Sequence, residues 1–172
     1  DTLTESHLML PSKQGLYSPE NEHDNCGAGF ICSLQGKKTN DIIHKALDIL
    51  DCLEHRGAVS ADGKTGDGAG ILIEIPHEFL KDQCSFNLPE FGEYAVGMVF
   101  LPKKDNQRSF CIGVLEGEFE NQGLNVLGWR KVPVRTEIVG KIAAQTEPKI
   151  MQIFVGKGDK KITEQNFNNK LF

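Results

Sequence analysis

A chain of 172 residues is the size of one domain, or of one domain with an appendage. Residues AVILMFWYC make up 39% and charged residues 25%, a globular balance that excludes a disordered tail, and no apolar run nears the ~20 residues of a membrane span. Its 19 basic and 24 acidic side chains leave a net charge of −5, with the cations scattered, which argues against a nucleic-acid surface.

The chain opens at Asp1, and its first 25 residues lack the basic-then-apolar order of a signal peptide. Pro11, Gly15 and Pro19 interrupt them, so residues 1–25 read as an extended leader rather than core. Cys26–Gly36 carries Phe30, Cys32 and Leu34 on one alternating face, which predicts a strand. Asn40 offers an N-cap, and Ile43, Ala46, Leu47, Leu50 and Leu53 predict an amphipathic helix running to about Arg56. A loop dense in glycine follows (Gly57, Gly63, Gly66, Gly68, Gly70) and leads into Gly70–Pro76, a predicted strand that the proline stops. Glu93–Leu101 predicts a further strand. From Asn106 to Asn121, Phe110, Cys111, Val114, Leu115 and Phe119 have helical spacing, with Gly123 as the stop. Leu124–Val134 begins with alternation and holds Trp129; Lys149–Val155 predicts another strand. The tail starts like a short helix and ends as Leu171–Phe172 restarts an apolar run, so the end reads as truncated. Strands and helices in this irregular order predict an α+β layered fold rather than a doubly wound one.

The glycine loop invites a phosphate-site reading, which its spacing rejects. Gly63-Lys64-Thr65 ends like a P-loop, but position 58, where that motif needs glycine, is Ala58. The loop also follows a helix, whereas a P-loop leaves a strand. Glycines serving positive φ angles in a tight loop account for it, and Asp62 and Asp67 read as turn formers. The five cysteines, Cys26, Cys32, Cys52, Cys84 and Cys111, include no CxxC pair, which points to a reducing compartment such as the cytoplasm and to no zinc site. Cys26 stands where the leader meets the first predicted strand. It reads either as a small core hydrophobe or, once the leader is cut, as an N-terminal nucleophile whose own α-amino group takes the thiol proton. Gly27 beside it would leave room for a substrate to approach the backbone.

Cys26-Gly27-Ala28-Gly29-Phe30, then Leu53-Glu54-His55-Arg56-Gly57, then Asp67-Gly68-Ala69-Gly70-Ile71 together resemble the class II, N-terminal nucleophile glutamine amidotransferases. Gly15-Leu16-Tyr17, Glu22-His23-Asp24, the run from His55 to Gly70, Leu127–Arg130 with Val132–Val134, and Gln152–Val155 resemble the glutamate synthase large-chain branch of that family. The likeness runs from about Gly15 to Phe172. It implies a four-layer αββα sandwich, here incomplete. Residues 1–25 would be a propeptide, and 26–172 the amino-terminal portion of an amidotransferase domain. Cys26 would attack the side-chain amide of L-glutamine. Arg56 would bind substrate near the nucleophile, or else tie the helix end to the glycine loop, and His55 would be structural. In the parent enzyme the released ammonia would pass to a synthase site and aminate 2-oxoglutarate, with FMN and an iron–sulfur cluster reducing the imine. Neither cofactor would lie in this stretch. The implied partners are the rest of the large chain and a small subunit or ferredoxin.

The family's oxyanion hole uses an Asn-Gly pair and its carboxylate site a later arginine; these 172 residues hold no Asn-Gly dipeptide and no arginine after Arg135. The stretch alone is therefore expected to be inactive. Two other readings remain from the sequence: a stand-alone N-terminal nucleophile amidohydrolase, against which the Trp129–Val134 segment speaks, and a non-catalytic module keeping the fold.

Overall fold

The computed structural model describes residues 27–53, 62–66, 68–158 and 162–171. They fall into two compact units, the first holding 27–53, 66 and 68–71 and the second holding 62–65 and the described residues from 72 onward.

In the first unit the predicted helix forms as α1, Asn40–Cys52. Thr39, not Asn40, is the N-cap, with an extended backbone and no side-chain bond to the helix. Asn40 is the first helical residue, and its Nδ2 lies 3.1 Å from His44 Nε2 one turn on. Asp41 favours the helix start through the dipole and pairs with Lys45 at 2.7 Å, an exposed pair that adds little. Ile42, Ile43, Ala46, Ile49, Leu50 and Leu53 are half-buried, while Leu47, expected on the inner face, is exposed.

Two predicted strands are absent. Residues 27–36 form no ladder and end in a turn closed by Gly36 N–H donating to Ser33 O at 3.0 Å. Residues 70–76 form none either. Phe30 is 90% exposed and Leu72 is wholly exposed. Alternation and β-branched side chains suit a pleated surface, but a strand exists only with a neighbour to bond.

The second unit is built on an antiparallel sheet of β1 (Tyr94–Leu101), β2 (Asn125–Lys131) and β3 (Lys149–Gly156), in the order β1-β3-β2. β1 and β3 stand where the sequence predicts strands, whereas for β2 the sequence offers only the alternating start at Leu124 and Val126. Along β3 successive side chains face opposite sides, and both sides are covered. Ile153 and Val155 form one core with Leu124 and Phe167, joined by Phe119 of α3 (Asp105–Asn121) and Leu171 of α5 (Glu164–Leu171). Phe154, on the other side, packs with Tyr94 and with Leu80 of α2, His77–Gln83. Helix α2 is a sequence miss: seven residues, begun directly after Pro76, with only Leu80 buried. Each fully buried side chain of this kind contributes about 1.5–3 kcal/mol relative to exposure.

Helix α3 ends as expected, with Gly123 at φ +70, a conformation glycine adopts without a Cβ clash. Its inner stripe differs from the expected one. Phe110 and Val114 are exposed, whereas Cys111, Ile112, Leu115, Glu116 and Phe119 are half-buried. In β2 a bulge between Val126 and Gly128 shifts the register. Val126 joins the Ile153 core and Leu127 the Phe154 core by ordinary alternation; the extra residue makes Trp129, rather than Gly128, the partner of Ile153.

Candidate active site

Cys26 and Arg56, the two residues singled out for chemistry, lie outside the described residues, as do His55 and Asp67. Their described neighbours are informative. A Cβ on Gly27 would lie 2.8 Å from Leu53 Cδ2, and one on Gly29 only 2.6 Å from Ile49 Cγ2. The Gly-x-Gly spacing therefore meets α1 at residues four apart, on one helix face. These glycines serve close backbone–helix packing, where the sequence suggested space for a substrate.

The second feature is a staple that the sequence only half disclosed. Asp62 does form the expected turn: its Oδ1 accepts the backbone N–H of Thr65 at 2.8 Å and of Lys64 at 3.1 Å. Its Oδ2 goes further, accepting the Thr65 hydroxyl at 2.7 Å and the backbone N–H of Ile142 at 3.1 Å. Thr65 Oγ1 in turn accepts the Ala143 N–H at 3.3 Å. Ile142 and Ala143 open the short helix α4, Ala143–Thr146, which has no cap of its own. A carboxylate and a hydroxyl from some 80 residues earlier thus satisfy its first free N–H groups. These donors, the Thr65 backbone N–H foremost, hold the Asp62 carboxyl far below the usual carboxylate range. The buried Gly140 allows the approach: a Cβ there would sit 2.3 Å from Thr65 Oγ1 and 2.8 Å from Thr65 N. The Asp-Gly dipeptide announces the turn; nothing local announces its partner at 140–143.

Other polar side chains of the sheet are also paired. Trp129 Nε1–H donates to Glu116 Oε1 at 2.8 Å from within the Ile153 core. Arg130 Nη1 donates to Gln152 Oε1 at 2.8 Å across the β2–β3 pair. His77 Nδ1 lies 3.0 Å from the Tyr94 hydroxyl. Cys32 and Cys52 are exposed, so burial does not shield them, while Cys84 and Cys111 are half-buried. Among the described residues no three His, Cys, Asp or Glu side chains converge as a metal site, and no described helix is long and apolar enough to cross a membrane.

Comparison with known proteins adds the following. The family model described as glutamine amidotransferases class-II matches residues 26–172. A Bacillus subtilis protein named glutamate synthase [NADPH] large chain is 42% identical over 168 residues, 97% of this chain and 11% of its own length. Saccharomyces cerevisiae glutamate synthase [NADH] is 44% identical across 92% of this chain and 8% of its own length. An Arabidopsis thaliana protein named ferredoxin-dependent glutamate synthase 2, chloroplastic, is 43% identical across 78% of this chain. The chain spans roughly a tenth of the length of these relatives.

Proposed function

Since the chain belongs to the class-II glutamine amidotransferases, we propose that it forms part of the ammonia-releasing domain of a glutamate synthase, with Cys26 as nucleophile and Arg56 at the glutamine site. The observation that carries this reading is the contact between flanking residues. Gly27, next to Cys26, lies against Leu53, three residues before Arg56. That approach supports a shared site for the thiol and the guanidinium. The family match also begins at Cys26 itself, after the leader-like 1–25.

With the leader removed after Asn25, the α-amino group of Cys26 is free to act as base. Its reference pKa near 7.7–8.0 lies close to that of a thiol near 8.5, so the proton passes between them at neutral pH. The thiolate attacks the side-chain carbonyl carbon of glutamine. The nitrogen takes the proton and leaves as ammonia, and a γ-glutamyl thioester remains. Water then attacks the thioester, giving glutamate and the free thiol. Arg56 suits a substrate carboxylate or carbonyl through its fork of N–H donors. The Asp62 staple holds the stretch six residues downstream of Arg56.

In the whole protein the ammonia would aminate 2-oxoglutarate at a separate synthase site, where FMN and an iron–sulfur cluster supply the reducing electrons. Among the described residues no three metal-ligating side chains converge that would hold a cluster, and no step here runs through either group. A small subunit or ferredoxin would deliver the electrons, as the names of the relatives suggest. The finer fold would be the αββα sandwich, with α3 and α5 in an outer layer over the sheet, and the setting a reducing compartment such as the cytoplasm.

The test is a diazo-ketone glutamine analogue applied to the full-length protein, followed by peptide mapping and amino-terminal sequencing. The adduct is expected on a peptide that begins at Cys26, with ammonia release lost in Cys26→Ala. An adduct on exposed Cys32 or Cys52 instead, or full activity with the leader attached, would overturn the assignment.

A further inference from the structure

Helix α3 turns one face to the Ile153 core through Phe119 and leaves the opposite face bare. At 3.6 residues per turn, Phe110, Gly113, Val114 and Gly117 fall in one stripe about 100° wide, with Asn106 and Asn121 at its two ends. Phe110 is 73% exposed and Val114 48%. Single exposed apolar side chains are ordinary, but these two lie one turn apart with glycines beside them. A Cβ on Gly113 or Gly117 would meet no heavy atom within 4 Å beyond the helix's own backbone. Nothing among the described residues therefore requires glycine at either position, although glycine in a helix interior is disfavoured against alanine. A close approach from outside would require it.

The helix is also polarised along its length. Lys103, Lys104 and Arg108 outweigh Asp105 at its start, whereas Glu116, Glu118 and Glu120 make its end negative. Some of these charges are spent: Lys103 pairs with Glu147, Arg108 with Asp105, and Glu116 accepts the Trp129 indole N–H. The exposed side chains of Lys104, Glu118 and Glu120 pair with none of the described residues. A helix that is basic at one end and acidic at the other is complementary to its own reversed copy.

We propose that α3 docks on α3 of a second copy of this chain, antiparallel about a two-fold axis that passes between Gly113 and Val114. Phe110 and Gly117 lie equally far from that axis, so each Phe110 enters the gap over the partner's Gly117, and each Val114 lies over the partner's Gly113. Both contacts are made twice, as an isologous interface requires. The antiparallel arrangement opposes the two helix dipoles. It also brings Lys104 to about 7.5 Å along the axis from the partner's Glu118, on the same flank and within a lysine's reach. One pair of helix faces is a small interface, so association in the micromolar range is expected. The surface uses none of the residues assigned to glutamine chemistry and stands independently of that assignment.

Cysteine linking in the full-length protein reads the register. Val114→Cys stands beside the axis and meets its own copy, so mild oxidation should join two chains through it, with the linked peptides identified by mass. Gln107→Cys, about 20 Å along the axis from its own copy, should not self-link. Sedimentation velocity gives the second arm. Gly117→Ala puts a methyl where Phe110 seats and should weaken association by about ten-fold or more, since the clash enters twice. Its melting temperature should stay level or rise, because nothing in its own chain meets that Cβ. Lys104→Glu should weaken association about five-fold at low salt, and adding Glu118→Lys should restore it. A Val114→Cys thiol that fails to link overturns the proposal, whether it is open to maleimide, which leaves the face bare, or closed to it, which gives the face to another segment or partner. Equal linking through Gln107→Cys, or association unmoved by Gly117→Ala, overturns it as well.

Discussion

Phe154→Ala tests the packing of the sheet most directly. Phe154 is fully excluded from solvent; its ring meets Phe86 edge-on at 5.3 Å and stacks on Tyr94 at 6.2 Å. Deleting it removes the transfer free energy of the ring and leaves a cavity, together about 3–5 kcal/mol, with the two aromatic pairs lost as well. Phe100, on the same sheet face of β1, is 65% exposed. The identical substitution there removes roughly a third as much buried area and should cost about 0.5–1 kcal/mol. Urea unfolding followed by far-UV circular dichroism separates the two. At slopes of about 1–3 kcal/mol per molar, Phe154→Ala should lower the midpoint by about 1–5 M and Phe100→Ala by no more than about 1 M, with slopes unchanged. Equal midpoint shifts for the two variants would refute the placement of the core.

Asp62→Asn should destabilise the protein at neutral pH, and the gap to the parent should close on acidification. The folded-state pKa of Asp62 lies below the unfolded value, so its contribution is present above about pH 4 and fades as pH falls toward the folded value. Thermal melts at pH 7 and pH 3 check the sign; a gap that widens in acid would show the staple is misassigned. Gly140→Ala drives a methyl into the Thr65 backbone nitrogen and hydroxyl and should cost about 1–3 kcal/mol. A melt within error of the parent would mean the two turns do not touch. Cys26→Ala should abolish ammonia release from glutamine without shifting the melting temperature, whereas retained turnover would remove Cys26 from the chemistry.

Helix α1 and strands β1 and β3 were legible because their apolar residues recur at helical or strand spacing, on a half-buried face in α1 and on a face that reaches the core in the strands. The Gly70–Pro76 stretch shows the limit: Ile71, Ile73 and Ile75 satisfy every local preference for a strand, yet pairing depends on a neighbour the local pattern cannot name. Helix α2 fails in the opposite direction, with one buried residue, Leu80, too few to establish a period. Cys26 and Arg56 were singled out from motifs and lie outside the described residues, while Gly27 beside Cys26 is described. The reason for Gly27 was not legible, because close packing on Leu53 is a tertiary fact. Asp62 was read as a turn residue for the same cause, its second set of donors lying at 142–143, far along the chain.

The strand order β1-β3-β2 has a consequence for synthesis. The central strand is the last of the three to be made, so neither β1 nor β2 can find its partner until Gly156 has left the ribosome. Some 60 residues separate Tyr94 from its partner Gly156; at roughly 5–20 residues per second, β1 waits about 3–12 s with both edges bare. Its sequence, YAVGMVFL, has no charge and no proline, the composition most apt to join a stray strand from another nascent chain. Of the segment from 94 to 148, α3 is the longest element that can close locally in that interval, so it is the natural first shelter for β1. Stalled chains ending before β3 should accordingly be protease-sensitive and bound by chaperones, and chains extended past the exit of Gly156 should not.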